Sequence, residues 1–217
     1  MKKIILPIEE ARLLIREADI LLFRGNGIFS KLVQKAGAGS YSHVAVASWY
    51  NGSRESSLLE AIEFREGKGG RTVNLTSAYN NHLENNLIDV YRVTKPIYKT
   101  FYNLETKKVE KIPVDFDAKG ITRCMRNLTG LPYGWRRIWW IAKNKIVGLR
   151  WFMNIEDIDD DNSKVDSSKI YPVCSTAIAA CFSKYGYDLT KNRSDEYTEP
   201  NDIARSAILS YLFTLGA

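Results

Sequence analysis

Cysteine, histidine and long apolar runs are all scarce in this sequence, and each shortage excludes a class of protein. Three cysteines are too few, and an odd number, for a disulfide framework, so we expect reduced thiols in a cytosol-like compartment. Neither they nor the two histidines show zinc-ligand spacing. The apolar run at the amino terminus stops at Pro7, too short for a signal peptide, and no stretch reaches membrane-span length. The sequence predicts a cytoplasmic protein, with export by another route left open.

The composition indicates one globular domain over residues 1–217. The chain is 45% hydrophobic and 26% charged, which is typical of a soluble packed protein. A formal charge of +6 suits an anionic surface as partner, but nucleic-acid binding rests on net charge alone and is not expected. No phosphate-binding glycine motif is present, and the acidic run Asp157–Asp161 is not followed by the Gly and Glu of a calcium loop. We predict neither a cofactor nor a metal.

The order of predicted elements is typical of an α+β domain with a mainly antiparallel sheet. Strands are predicted near 19–23, 42–50, 56–64 and 87–93, and helices near 8–17, 118–129 and 174–185. A loop is expected at 67–70, and Pro200 is expected to open a last helix. The segments 95–117 and 135–162 are predicted to be insertions, and a hairpin is the alternative for the first of them.

His43 is the stronger candidate for a catalytic base. His82 lies in a polar turn, where a solvated side chain is expected, whereas His43 lies in a predicted strand. A titratable ring is costly there unless it has a partner. Asn51-Gly52 is a strong hairpin signal, and a two-residue loop at that point would place His43 opposite Glu60. A carboxylate beside the imidazole would fix its tautomer and stabilise the imidazolium.

Cys174 is the candidate nucleophile because it begins a predicted helix. Pro172 keeps the preceding residue extended, and helical periodicity starts at Cys174. Unpaired N–H groups and the helix dipole favour a thiolate in the first turn. Ser175 is a small neighbour that leaves the sulfur accessible. Cys124 and Cys181 lie within helical patterns and fit buried structural thiols instead.

Four short motifs occur between residues 18 and 204, and their order along the chain can be compared with that of known families. They are Ala18-Asp19-Ile20-Leu21, Tyr41-Ser42-His43-Val44 followed by Leu59-Glu60-Ala61, Gly130-Leu131-Pro132-Tyr133-Gly134, and Tyr171-Pro172-Val173-Cys174-Ser175 trailed by Glu199-Pro200-Asn201-Asp202. They resemble the opening strand, histidine strand, Gly-x-Pro-Tyr turn and cysteine helix of the circularly permuted NlpC-like papain-fold hydrolases, in their YiiX/YebB-like branch. Ala18 stands where that family usually has glycine.

The resemblance implies a papain-like fold in which a mainly antiparallel sheet packs against the cysteine-bearing helix. It implies Cys174 as nucleophile, His43 as base and Glu60 as the third member of a catalytic triad. Tyr41 would help to shape the oxyanion site, and Ser175 is a second candidate for oxyanion or substrate binding.

The implied activity is hydrolysis of an acyl bond through a thioacyl-enzyme. An amidase or peptidase acting on peptides or cell-wall fragments is the first hypothesis. The second is a lipid acyl hydrolase or acyltransferase of the lecithin:retinol acyltransferase type, with the Trp-rich stretch 135–152 facing a membrane. For that stretch alone, a helix packing its aromatic side into the core is the favoured interpretation. A binding module without turnover is the third, and the intact Cys, His and Glu set argues against it.

Overall fold

The fold is built around one large sheet. The computed structural model describes residues 3–25, 28–50, 58–65, 67–76, 87–134, 173–190 and 194–216. The strands are β1 (Ile5–Leu6), β2 (Ile20–Phe23), β3 (His43–Trp49), β4 (Leu59–Arg65), β5 (Gly69–Asn74), β6 (Ile88–Val93), β7 (Ile97–Asn103), β8 (Lys108–Val114) and β9 (Leu209–Leu215). The helices are α1 (Ile8–Leu14), α2 (Ile28–Ala36), α3 (Ala118–Asn127), α4 (Cys174–Lys184) and α5 (Pro200–Ala204), with a 3-10 turn at Asp195–Tyr197.

Seven of these strands form the sheet in the order β1-β9-β6-β2-β3-β4-β5. β1 pairs with β9 in parallel, and the other neighbours pair antiparallel. The prediction of an α+β domain with a mainly antiparallel sheet is confirmed. The separate pair β7–β8 is a hairpin, which is the alternative predicted for the segment 95–117.

The central strands are buried on both faces. All four residues of β2 are buried, and β3 is buried from Val44 onward. One cluster joins Leu22 and Val44 to the α4 side chains Ile178 and Phe182, and a second joins Leu21 to Ala11 of α1. Such strands are near-continuous apolar runs because helices cover both sides of the sheet. The sheet packs against the cysteine-bearing helix, as predicted.

Two strands differ from the sequence prediction. The glycines at 67–70, predicted to form a loop, lead directly into β5. A Cβ on Gly69 would lie 2.2 Å from the Leu131 carbonyl oxygen, and the Gly70 N–H donates to that oxygen at 2.9 Å. Glycine therefore allows close backbone approach here rather than ending the strand. After the short helix α5, the alternating segment Leu209–Leu215 forms β9 and pairs with β6.

Several predictions fall on residues outside the described ranges. The insertion at 135–162 and the Trp-rich stretch 135–152 lie there. The assignment of residues 1–217 to one domain stays a prediction. Among the helices that the structure does describe, each is too short or too polar to cross a bilayer.

Two of the three cysteines are paired, which corrects the prediction of reduced thiols. Cys124 on α3 and Cys181 on α4 form a disulfide with their Cα atoms 5.7 Å apart. Periodicity marks each as a buried helical residue but does not reveal that the two helices are neighbours. The inference of a reducing compartment loses its support, because persistent disulfides are rare in the cytosol. Cys174 remains unpaired.

Candidate active site

The Cys174 thiol lies at the first residue of α4, between that helix and β3. Val173 is extended and its N–H donates to the Thr176 hydroxyl at 2.9 Å, which fixes the start of the helix. Burial opposes ionisation of the thiol. The hydrogen bond and positive charge of His43, with the backbone N–H groups of Val44 and Ser175, nevertheless lower the pKa of Cys174. These contacts favour a thiolate beside an imidazolium.

The His43 ring bridges the thiol and a carboxylate. It packs against Phe23, its neighbour on β2, with ring centroids 5.2 Å apart. Its Nε2–H donates to Glu63 Oε2 at 2.7 Å, which leaves Nδ1 for the hydrogen bond with Cys174. Burial disfavours the imidazolium, but Cys174 and then Glu63 raise the pKa of His43 to about 10. The structure thus brings Cys174 and His43 together.

Glu63, on β4, is the carboxylate that orients the histidine. Its side chain is only 2% exposed. Its second oxygen accepts two hydrogen bonds from Arg71 on β5, from Nε at 2.8 Å and from Nη2 at 2.5 Å. Burial would raise the pKa of this carboxyl, but His43 and Arg71 lower it to about 2. Glu63 therefore stays ionised and stabilises the imidazolium over a wide pH range.

The predicted contact between His43 and Glu60 is wrong. In the β3–β4 register Glu60 lies opposite Ser48, and the last backbone bond before residues 51–57 runs from the Tyr50 N–H to the Leu58 carbonyl. Glu60 accepts a hydrogen bond from Arg126 of α3 at 2.5 Å instead. It therefore ties α3 to the sheet and does not reach the imidazole.

The hydroxyl groups of Tyr41 and Ser175 bond to other protein atoms. The Tyr41 hydroxyl donates to Asp89 Oδ2 at 2.5 Å, so its proton is not directed to an oxyanion. The Ser175 hydroxyl donates to the Thr198 carbonyl at 2.6 Å. Ser175 contributes its backbone N–H to the sulfur, as Val44 does, and not its hydroxyl. The predicted role of Tyr41 in shaping the oxyanion site stays a prediction.

Sequence reasoning missed two buried carboxylates. Glu63 is the second acid in the segment Leu59–Arg65, so this strand offered two carboxylates as candidate partners of His43. Asp89 on β6 is fully buried and gathers Lys3, Arg24, Tyr41 and Thr214. An acid in the middle of an apolar strand has to be paired, which is the signal that could have found it. Through its bond to the Tyr41 hydroxyl, Asp89 fixes the residue that lies two positions before His43 in the chain.

The fold has a counterpart among solved structures, whereas no protein-family model and no curated protein matches this sequence. The chain resembles a crystal structure described as metalloprotein YiiX from Escherichia coli O157:H7. The TM-score is 0.57 at 12% sequence identity, and the likeness covers 93% of this chain and 98% of that one.

The word metalloprotein describes YiiX and is not carried to this chain by the fold. Across the residues that the structure describes here, no group of three or more His, Cys, Asp or Glu side chains is placed to hold a metal ion. His43 and Glu63 bond to each other, and Glu63 also accepts from Arg71. These residues do not fit a metal centre, and the likeness is one of fold: this chain has a YiiX-like architecture.

Proposed function

We propose that this protein is a cysteine hydrolase of the amidase or peptidase type. Cys174 is its nucleophile, His43 its general acid and base, and Glu63 the residue that orients the imidazole. The series Cys174–His43–Glu63 carries the proposal, because each member is hydrogen-bonded to the next.

A purely structural role for this series is disfavoured by its electrostatics. A buried cysteine is normally a neutral apolar side chain, and a buried histidine is normally neutral and satisfied. Here both pKa shifts favour the charged forms in spite of burial. A lowered thiol pKa beside a raised imidazole pKa is typical of catalytic sites, where a nucleophile must be ionised near neutral pH.

The geometry supports the following sequence of steps. The Cys174 thiolate forms a bond to the substrate carbonyl carbon, and N–H groups at the start of α4 stabilise the oxyanion. The carbon–nitrogen bond then breaks as the His43 imidazolium gives its proton to the leaving amine. Water loses a proton to His43 and attacks the thioester, which releases the acid and restores the ion pair.

The class of substrate follows from the resemblance of the sequence motifs to permuted NlpC-like papain-fold hydrolases. The likeness of fold to YiiX supports only the YiiX-like part of that resemblance. We infer a peptide or a cell-wall-derived amide as substrate. The net charge of +6 suits an anionic polymer or surface on which such an amide is presented.

The experiment is a turnover assay on amide substrates with the whole chain. Fluorogenic peptide amides and soluble cell-wall peptides are the probes, and aryl esters and acyl thioesters are the comparison set. Wild type should cleave an amide, and Cys174→Ala should lower turnover by at least about a thousandfold while keeping its melting temperature. Full activity of Cys174→Ala would end the proposal, and so would turnover confined to the esters and thioesters.

A further inference from the structure

A single buried side chain fixes the start of the strand that carries His43. Asn201, the second residue of α5, is 2% exposed. Its Oδ1 accepts from the Tyr41 N–H at 3.0 Å, and its Nδ2 donates to the Tyr41 carbonyl at 3.0 Å. The carboxamide thus satisfies both backbone groups of Tyr41, as a neighbouring strand would. β3 begins two residues later, at His43 itself.

Two glycines provide the space for this carboxamide. A Cβ on Gly39 would lie 2.2 Å from Asn201 Oδ1, and a Cβ on Gly37 would lie 2.6 Å from Asn201 Nδ2. Any larger residue at either position would displace the amide or the loop. Arg205 donates to the carbonyl of Gly37 at 3.2 Å and to that of Ala38 at 2.6 Å. The loop before β3 is therefore wrapped closely around α5.

The same short segment also contacts the nucleophile helix. The Thr198 carbonyl, fully buried, accepts from the Ser175 hydroxyl at 2.6 Å. The Ser175 N–H is one of two backbone N–H groups that face the Cys174 sulfur, the other being that of Val44. Glu199 and Pro200 alone separate Thr198 from Asn201, and the proline ring restricts the backbone between them. Residues 198–201 therefore connect the helix that carries the thiol to the strand that carries the imidazole.

We propose that Asn201 is a positioning residue that sets the spacing of the Cys174 sulfur and the His43 ring. This rests on the proposed thiol chemistry, since the spacing matters only if the two groups act as an ion pair. Residues 43 and 174 are far apart in the chain, so their distance depends on contacts between elements. A purely structural Asn201 would stabilise α5 without changing the reactivity of the thiol.

The test measures thiolate formation and needs no substrate. Iodoacetamide alkylation of Cys174 is followed by peptide mapping from pH 5 to pH 9.5. Asn201→Leu keeps the size and branching of the side chain and removes both hydrogen bonds. We expect its rate constant at pH 6 to fall by at least about fivefold while the rate at pH 9.5 stays within about twofold of wild type. Gly39→Ala, whose Cβ would displace the Asn201 carboxamide, should lower the rate at pH 6 in the same way.

Arg205→Met is the matched control. It removes the bonds from Arg205 to the Gly37 and Ala38 carbonyls and keeps the two bonds between Asn201 and Tyr41. It should lower the melting temperature and leave the alkylation profile unchanged. If Asn201→Leu does not fold, Gly39→Ala and Ser175→Ala carry the test. Folded variants with the wild-type rate at pH 6 would overturn the positioning role alone. A wild-type Cys174 no more reactive at pH 6 than an ordinary thiol would overturn the proposed function with it.

Discussion

Arg71 donates twice to one oxygen of Glu63 across the β4–β5 pair, which leaves the other oxygen on His43 Nε2. A carboxylate that shared its charge with several mobile donors would let the imidazole rotate. Two bonds from a planar guanidinium restrict the carboxylate instead. Arg71 is thus the outer support of the Cys174–His43 pair, and it lies on β5, directly after the glycines at 67–70 that were predicted to form a loop.

The first prediction separates the two glutamates of β4. Glu63→Gln should lower the rate of Cys174 alkylation at pH 6 by at least about fivefold, because the imidazolium loses its counter-charge and the pKa of the thiol rises. Glu60→Gln is the matched control on the same strand and should stay within about twofold of wild type. Equal loss in both variants would contradict the assignment of Glu63.

The second prediction concerns acid stability. The Glu63 carboxyl has its pKa lowered from 4.5 to about 2 in the folded state. Such a group contributes stability that is fully present above pH 4.5 and is lost as the pH falls through 2, on the order of 3 kcal/mol in all. Urea unfolding between pH 2 and pH 5 should therefore give a shallower pH slope for Glu63→Gln than for wild type. Parallel slopes would count against an ionised, paired Glu63.

The third prediction concerns the disulfide between α3 and α4. Cys124 and Cys181 close a long loop, with a sequence separation of 57. The double variant Cys124→Ser/Cys181→Ser should lose about 2–4 kcal/mol of unfolding free energy, since the cross-link restricts the unfolded chain. Dithiothreitol should lower the melting temperature of wild type and of Cys174→Ala alike. A melting temperature of wild type that does not respond to reductant would contradict the pairing.

Much of the architecture could be predicted because the central strands carry strong local signals. The apolar runs at β2 and β3 and the extended-to-helical change at Cys174 each depend on neighbouring residues alone. The place of Cys174 at the first residue of α4 follows from that local change. The register of β3 against β4 could not be predicted. Asn51-Gly52 favours a two-residue turn that would place Tyr50 opposite Ser53, whereas the Tyr50 N–H donates to the Leu58 carbonyl.

A change of register replaces every cross-strand partner, which is how Glu60 was predicted in place of Glu63. The contacts around Asn201 and Asp89 could not be predicted from the sequence for a different reason. These contacts join residues that are far apart in the chain, such as the Asn201–Tyr41 pair, separated by 160 positions, and the Asp89–Thr214 pair, separated by 125. No local pattern encodes which distant elements become neighbours.

The connection through residues 198–201 has a consequence for the unfolded chain. If residues 198–201 position these groups as proposed, Cys174 lacks His43 and the ordered N–H groups beside it until that segment docks on Tyr41 and Ser175, and we expect it to react as an ordinary thiol. During synthesis on the ribosome, the segment is added after both the histidine and the cysteine. We expect the lowered pKa of Cys174 to arise only with tertiary assembly, so that the thiol of the nascent chain has ordinary reactivity.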